Sequence, residues 1–279
     1  MGDRPQTPLE RTVRAATYIF TAAMIVFLVL PVAVVLPLSF TSGQLLIFPL
    51  PGWSLQWYQD FFTNPVWTGA LRNSVAIGVI VTLLATALGT AAAIGLHGSR
   101  TRWAKFVFAA LVMPLAVPVV IVAVATFYFF AALNLVGSFA GLVLAHTVLA
   151  LPFVVVTVSA TLQGFDPNLV RAAASLGAAP LFAFRTVTLP IIAPGVVSGA
   201  LFAFVTSFDE LVVAIFLSSP QQRTLPRQIF SGVSENVSPT ITAAAVILLL
   251  VSVALMGAME ALRRRSERLR NNLALPFNP

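Results

Sequence analysis

Six apolar runs constrain this chain more than anything else in it; they lie near 16–40, 71–96, 106–133, 140–162, 191–218 and 239–261. A bilayer core about 30 Å thick needs roughly 20 apolar residues in a helix, and each run is of that order. In hydrocarbon every backbone N–H and C=O must find its partner within the protein, so only helices and closed barrels cross. A barrel would alternate in polarity over segments of about ten residues, and these runs do not. The expectation is an all-α integral membrane protein with six transmembrane helices. Composition agrees: 58% of the 279 residues are hydrophobic and 9% are charged, too few to clothe a water-soluble globule. The first run is too long for a signal-peptide core and lacks an A-x-A cleavage pattern, so it reads as a retained anchor.

The placement of charge orients the bundle. With the N-terminus inside, the cytoplasmic pieces hold Arg4, Arg11 and Arg14, then Arg100, Arg102 and Lys105, then Arg171 and Arg185, then Arg263, Arg264, Arg265, Arg268 and Arg270. Only Arg72, Arg223 and Arg227 fall outside, and an even number of spans returns the C-terminus to the cytoplasm, as the positive-inside rule requires. The expected division is a cytoplasmic tail over 1–15, a six-span domain over 16–261 with a cytoplasmic loop at about 163–190, and a basic cytoplasmic tail over 262–279. The excess of basic residues therefore reads as a topology signal in contact with anionic lipid, not as a nucleic-acid site. Without cysteine there is no disulfide and no thiolate metal site. No phosphate-binding G-x-x-x-x-G-K-[ST] loop, no H-E-x-x-H and no paired nucleophile and base occurs, so the chain itself holds no enzyme and no cofactor.

Outside the first span, "TSGQLLIFPLPGWSLQWYQDFFTNPVWTGALRNS" carries Trp53, Trp57, Tyr58 and Trp67 with no Lys or Arg before Arg72. Its rings are expected in the headgroup layer. Gly78, Gly89 and Gly95 in the second run permit close helix approach. Pro114, Pro118 and Pro152 favour kinks. His146, with no second ligand in sight, reads as a satisfied core histidine, and His97 at a helix end is uninformative.

The segment "VRAAASLGAAPLFAFRTVTLPIIAPG", residues 170–195, is too interrupted to cross. Asp166 can cap a helix whose first position is Pro167 and which ends at Gly177 in a left-handed turn. Pro180 can open a second short helix that must end by Pro190, since the residue before a proline avoids the helical region. Ala172, Ala173 and Ala174 make a smooth face, and Phe182 and Phe184 supply bulk, so the unit is shaped to fill a partner's groove.

The pattern Ala172, Ala173, Leu176, Gly177, then Val187, Leu189 and Pro190 after nine residues resembles the cytoplasmic loop of the membrane subunits of bacterial ATP-binding-cassette importers. In that family the loop reads Glu-Ala-Ala, three residues, Gly, nine residues, Ile-x-Leu-Pro; Arg171 stands here where glutamate is usual, which leaves any ionic contact at that position open. "GWSLQWYQDFF", "ALRNSVAIG", "AFVTSFDELVVAIFL" and "RTLPRQIFSGVSENVSPTITA" are similar to the second permease of spermidine/putrescine importers. The resemblance implies a type I importer (MetI-like) fold with cytoplasmic coupling helices. It also implies four kinds of partner: a second permease, two ATP-binding subunits that carry ATP-Mg, an extracytoplasmic solute-binding protein and the bilayer of the bacterial inner membrane.

Asp209 and Glu210 lie within the fifth run, where a carboxylate costs on the order of 2.5–3.5 kcal/mol at mid-membrane and must face a wet cavity or a cation. Counted from a helix start near Pro194, Asp209 sits roughly 22 Å along the axis. Gly195, Gly199, Phe202, Thr206 and Asp209 follow helical spacing and could line a pathway, with Phe202 as a gate. Carboxylates there favour a cationic cargo such as a polyamine. The alternatives are a permease of the same family for ferric iron or an amino acid derivative, an ion-driven secondary carrier with Asp209 as a titrating relay, and a passive membrane scaffold. Whether Arg223 and Arg227 guide a binding protein or cap an outside loop stays open.

Overall fold

The computed structural model describes residues 8–99, 101–235 and 237–273. Residues 1–7 of the expected tail over 1–15, Arg4 among them, Arg100, and the end of the tail over 262–279 lie outside the described residues, as do the side chains of Arg263, Arg265, Arg268 and Arg270. The chain divides into two compact units, residues 1–63 with 232–246, and residues 64–231 with 247–279.

In the first unit, α1 (Pro8–Leu38) leaves its apolar window wholly exposed, as a lipid-facing anchor should. The loop after it is folded onto itself before α2 (Gln56–Thr63). Trp57 Nε1 donates to Thr41 O at 2.8 Å, Ser39 Oγ pairs with Tyr58 OH at 2.7 Å, and a single bridge joins Thr41 to Trp53. Phe40 packs on Tyr58 at 5.1 Å, and Thr240 Oγ1 donates to Asp60 Oδ2 at 2.7 Å. Trp57 is half-buried with its N–H spent on a backbone carbonyl and Trp67 is buried, so only Trp53 stays exposed among the three.

The second unit is built on α3 (Pro65–His97), α6 (Phe139–Leu162) and α9 (Leu189–Phe208). Their shared core includes Ile77, Val81, Ala85, Leu142, Val158 and Ile192. The three backbones meet at Val154: a Cβ on Gly89 of α3 would lie 2.8 Å from Val154 Cβ, and one on Gly199 of α9 would lie 2.9 Å from Val154 Cα. Lipid offers apolar side chains no reason to leave it, so such close approach of small residues is what holds membrane helices together. Gly195 likewise faces Thr157 and Thr161 of α6, whereas Gly95 faces open space.

Among the described residues five helices are long and apolar enough to span a bilayer, and a bent pair would make a sixth. That pair, α4 (Trp103–Val112) with the 3₁₀ turn Met113–Leu115, followed by α5 (Val119–Ala132), turns through 104°. Pro114 and Pro118 each remove a backbone donor, so the expected kink is a full break. Two other expectations are corrected. Pro190 does not end the second loop helix: α8 (Pro180–Ala183) runs through a π-helical turn, 184–188, straight into α9. The wider turn lets Leu189 N–H reach Phe184 O, five residues back, and makes room for the proline ring. Nor is 191–218 one helix: α9 stops at Phe208, and a separate α10 (Val212–Leu217) follows. After it come α11 (Leu225–Glu235) and α12 (Thr240–Leu273).

Candidate functional site

Two interruptions of the helical frame carry the chemistry. The first follows α6. Asp166 Oδ1 accepts from Asn168 N–H at 2.9 Å and starts α7 (Asn168–Ser175), with Pro167 as its N-cap. The helix ends as expected at Gly177, which has φ +82°. Ala178 N–H reaches Ala173 O at 3.0 Å and Gly177 N–H reaches Ala174 O at 3.0 Å, the pair of bonds that closes a Schellman turn. A side chain at Gly177 would meet open space, so its φ alone demands glycine.

This turn displays Leu176, 88% exposed, beside Leu181 and Phe182, which are 60% and 61% exposed. Arg171 and Ala172 are exposed as well, while Ala173, Val187 and Leu189 are half-buried and Pro190 is exposed. Exposed apolar side chains on a short helix pair outside the spans form the kind of patch that marks a docking surface.

The second interruption lies between α9 and α10. Asp209 ends α9, and its side chain is exposed; Glu210 is buried. Glu210 Oε1 accepts from Val212 and Val213 N–H at 3.0 and 3.1 Å, and Oε2 from Val213 and Ala214 N–H at 2.9 and 3.2 Å. Its carboxylate thus caps the first turn of α10. Oε2 also lies 4.0 Å from His146 Nε2, and His146 Nδ1 pairs with Ser207 Oγ at 3.0 Å. His146 is a core histidine only half satisfied, since Nε2 has no hydrogen-bond partner among the described residues.

At the other end of α10, Arg227 Nη1 donates to Ala214 O at 3.2 Å and to Ser218 O and Oγ. A carboxylate at the N-terminus and a guanidinium at the C-terminus complement the helix dipole. Arg227 thus caps the C-terminal end of α10. Arg223 pairs with Gln228 Oε1 at 3.3 Å. Below the break, Phe202 stacks on Phe153 at 5.9 Å, and Thr206 is half-buried. The stripe drawn from helical spacing is therefore divided: Gly195 and Gly199 pack against α6, whereas Phe202 and Asp209 are exposed and Thr206 is half-buried.

Residues 85–268 match the family described as binding-protein-dependent transport system inner membrane component. The chain belongs to this family. It is 32% identical over 245 residues to the spermidine/putrescine transport system permease protein PotC of Escherichia coli (strain K12), covering 88% of this chain and 92% of that one. The putrescine transport system permease protein PotI of the same strain is 34% identical over 230 residues, 80% of this chain and 82% of the relative. Among solved structures, a bacterial ABC transporter involved in the import of the acidic polysaccharide alginate superposes with a TM-score of 0.72 at 13% identity, over 93% of this chain and 99% of that one. The inward-facing MetNI methionine ABC transporter gives 0.59 at 18% identity over 75% and 97%. The expected all-α importer-permease fold is therefore the observed one, and the chain is the permease of an ATP-driven importer.

Several residues that brace this permease's second interruption and the segment after α10 were not picked out as site residues from the sequence. Asn73 Nδ2 donates to Gln221 O and Arg223 O at 3.0 and 3.1 Å, and Ser74 Oγ accepts from Leu225 N–H at 2.7 Å. Both stand in "ALRNSVAIG", where polar residues at the start of an apolar run were the only clue. Ser207 and His146 are 61 residues apart and meet only in the folded bundle.

Proposed function

We propose that this permease translocates a small cationic solute of the polyamine class, with Asp209 as the carboxylate the solute meets. The observation that carries the reading is the exposed Asp209 at a helix break inside an apolar run, beside a Glu210 already committed to backbone amides. An exposed carboxylate with low-dielectric walls attracts cations more strongly than one in bulk water. The similarity to PotC and PotI favours the same cargo. Phe202 and Thr206 lie on the approach from α9, and Glu210 serves this site by fixing the break rather than by touching the solute.

The segment 166–190 is the element through which the permease responds to ATP. In this reading Leu176, Leu181 and Phe182 enter a groove on an ATP-binding subunit, around the framework of Ala172, Ala173, Gly177, Val187, Leu189 and Pro190, with Arg171 at its rim. ATP-Mg is bound and hydrolysed on two such subunits and not on this chain. A second permease and an extracytoplasmic binding protein complete the importer in the bacterial inner membrane, with both termini cytoplasmic.

The test is putrescine and spermidine uptake by proteoliposomes holding the whole importer. Asp209→Asn should cut uptake about tenfold, the worth of one lost charge contact, while the subunits still copurify. Wild-type uptake by that variant removes Asp209 from the pathway.

A further inference from the structure

On the side of the coupling segment, where α3 and α6 end and α4 begins, the second unit holds a cavity of about 570 Å³. Arg102 and Lys105 line it with Ser99 and Gln163, and Leu96 and Phe108 form its apolar wall. No acidic residue faces it, and neither cation has an acidic partner among the described residues. His97 is the other titratable group on its wall among the described residues.

The ligand has to bring negative charge, and the surroundings say what else it brings. α4 buries none of its residues. Trp103 and Phe106 are 61% and 68% exposed, pack together at 5.8 Å, and each directly follows one of the cations in sequence. Aromatic rings beside basic residues at the end of an apolar helix mark the membrane interface. The cavity thus adjoins an apolar helix whose side chains are not buried, with two cations and apolar residues both in its lining. Basic pockets between spans on the cytoplasmic side suit anionic headgroups.

We propose that this cavity binds the phosphate of an anionic phospholipid, with Arg102 and Lys105 on the headgroup and the acyl chains along Leu96, Phe108 and the exposed face of α4. A lipid held there touches the ends of α3 and α6 next to the coupling segment, so membrane charge is read at the joint between motor and spans. The inference rests on the chain being a membrane permease and not on its solute.

The experiment uses the whole importer in nanodiscs containing photoactivatable phosphatidylglycerol or, in parallel, photoactivatable phosphatidylcholine. Phosphatidylglycerol should label residues 93–108 on the order of tenfold more than phosphatidylcholine, the selectivity expected of two cations at the surface. R102Q/K105Q should remove that preference, R102K/K105R should keep it, and added inorganic phosphate should leave it unchanged. Equal labelling by both lipids in the wild-type complex overturns the proposal whatever the variants do. So does a preference that survives in R102Q/K105Q, or one that inorganic phosphate abolishes, which would make the ligand a free anion. Polyamine uptake measured on the same wild-type samples reports separately on the proposed cargo.

Discussion

Two short helices in this permease follow a break, and each is started by a carboxylate. Asp166 starts α7 in the exposed coupling segment, and Glu210 starts α10 in the buried break after α9. The chemistry is the same, a carboxyl oxygen accepting from first-turn amides. The setting differs: an α7 amide that loses Asp166 can turn to water, whereas the α10 amides are enclosed with Glu210 and His146. An orphaned amide in a wet place costs little, and one sealed in the bundle costs its full desolvation. One break is therefore made cheap to move. The other is made stiff.

The largest effect should come from the stiff break. Glu210→Ala strips three amides of their acceptor and is expected to cost about 3 kcal/mol in unfolding by SDS titration, with loss of uptake. Glu210→Gln keeps one oxygen and should recover about half of that. If the alanine variant unfolds like the wild type and only uptake suffers, Glu210 belongs to the pathway and the comparison is broken. Next comes Gly177→Val in the coupling turn. A β-branched residue at φ +82° should cost about 2 kcal/mol locally. Its signature is ATP hydrolysis that continues while uptake falls; coupled uptake at the wild-type level would mean the turn transmits nothing. Arg227→Gln, at the other end of α10, should cost about 1 kcal/mol, because a carboxamide still donates to Ser218 O.

The two breaks also differ in how plainly the chain announces them. Asp166, Pro167, Gly177 and Pro180 act on their own backbone, by fixing φ, by removing a donor or by tolerating a left-handed turn, so the coupling helices were legible from local residues. Pro190 was legible too, yet misleading, because a π turn supplied by its neighbours absorbs it. "AFVTSFDELVVAIFL" holds neither glycine nor proline, so nothing local stops a helix there. The stop comes from Glu210 turning onto the amides of Val212, Val213 and Ala214, and from Ser207 meeting a histidine 61 residues away. Only the bundle brings these together. The third span shows the same limit in milder form: Pro114 and Pro118 signal a bend, but not that it reaches 104°.

Asp166→Ala closes the series and is the most exacting of these changes because its expected effect is small. The side chain is exposed, and its contact is one bond of 2.9 Å to Asn168 N–H, which water can replace. A cap of this kind contributes about 0.5–1 kcal/mol, and α7 keeps Pro167, Ser175 Oγ on Arg171 O and the Schellman turn at Gly177. The whole-protein unfolding midpoint should therefore not move, and hydrogen exchange at the amides of 168–171 should quicken by a few-fold, as local opening rather than global unfolding governs them. A drop in unfolding stability comparable to that of Glu210→Ala would mean that the coupling segment is as rigid a part of the bundle as the buried break, and the contrast between a movable joint and a fixed one would have no physical basis.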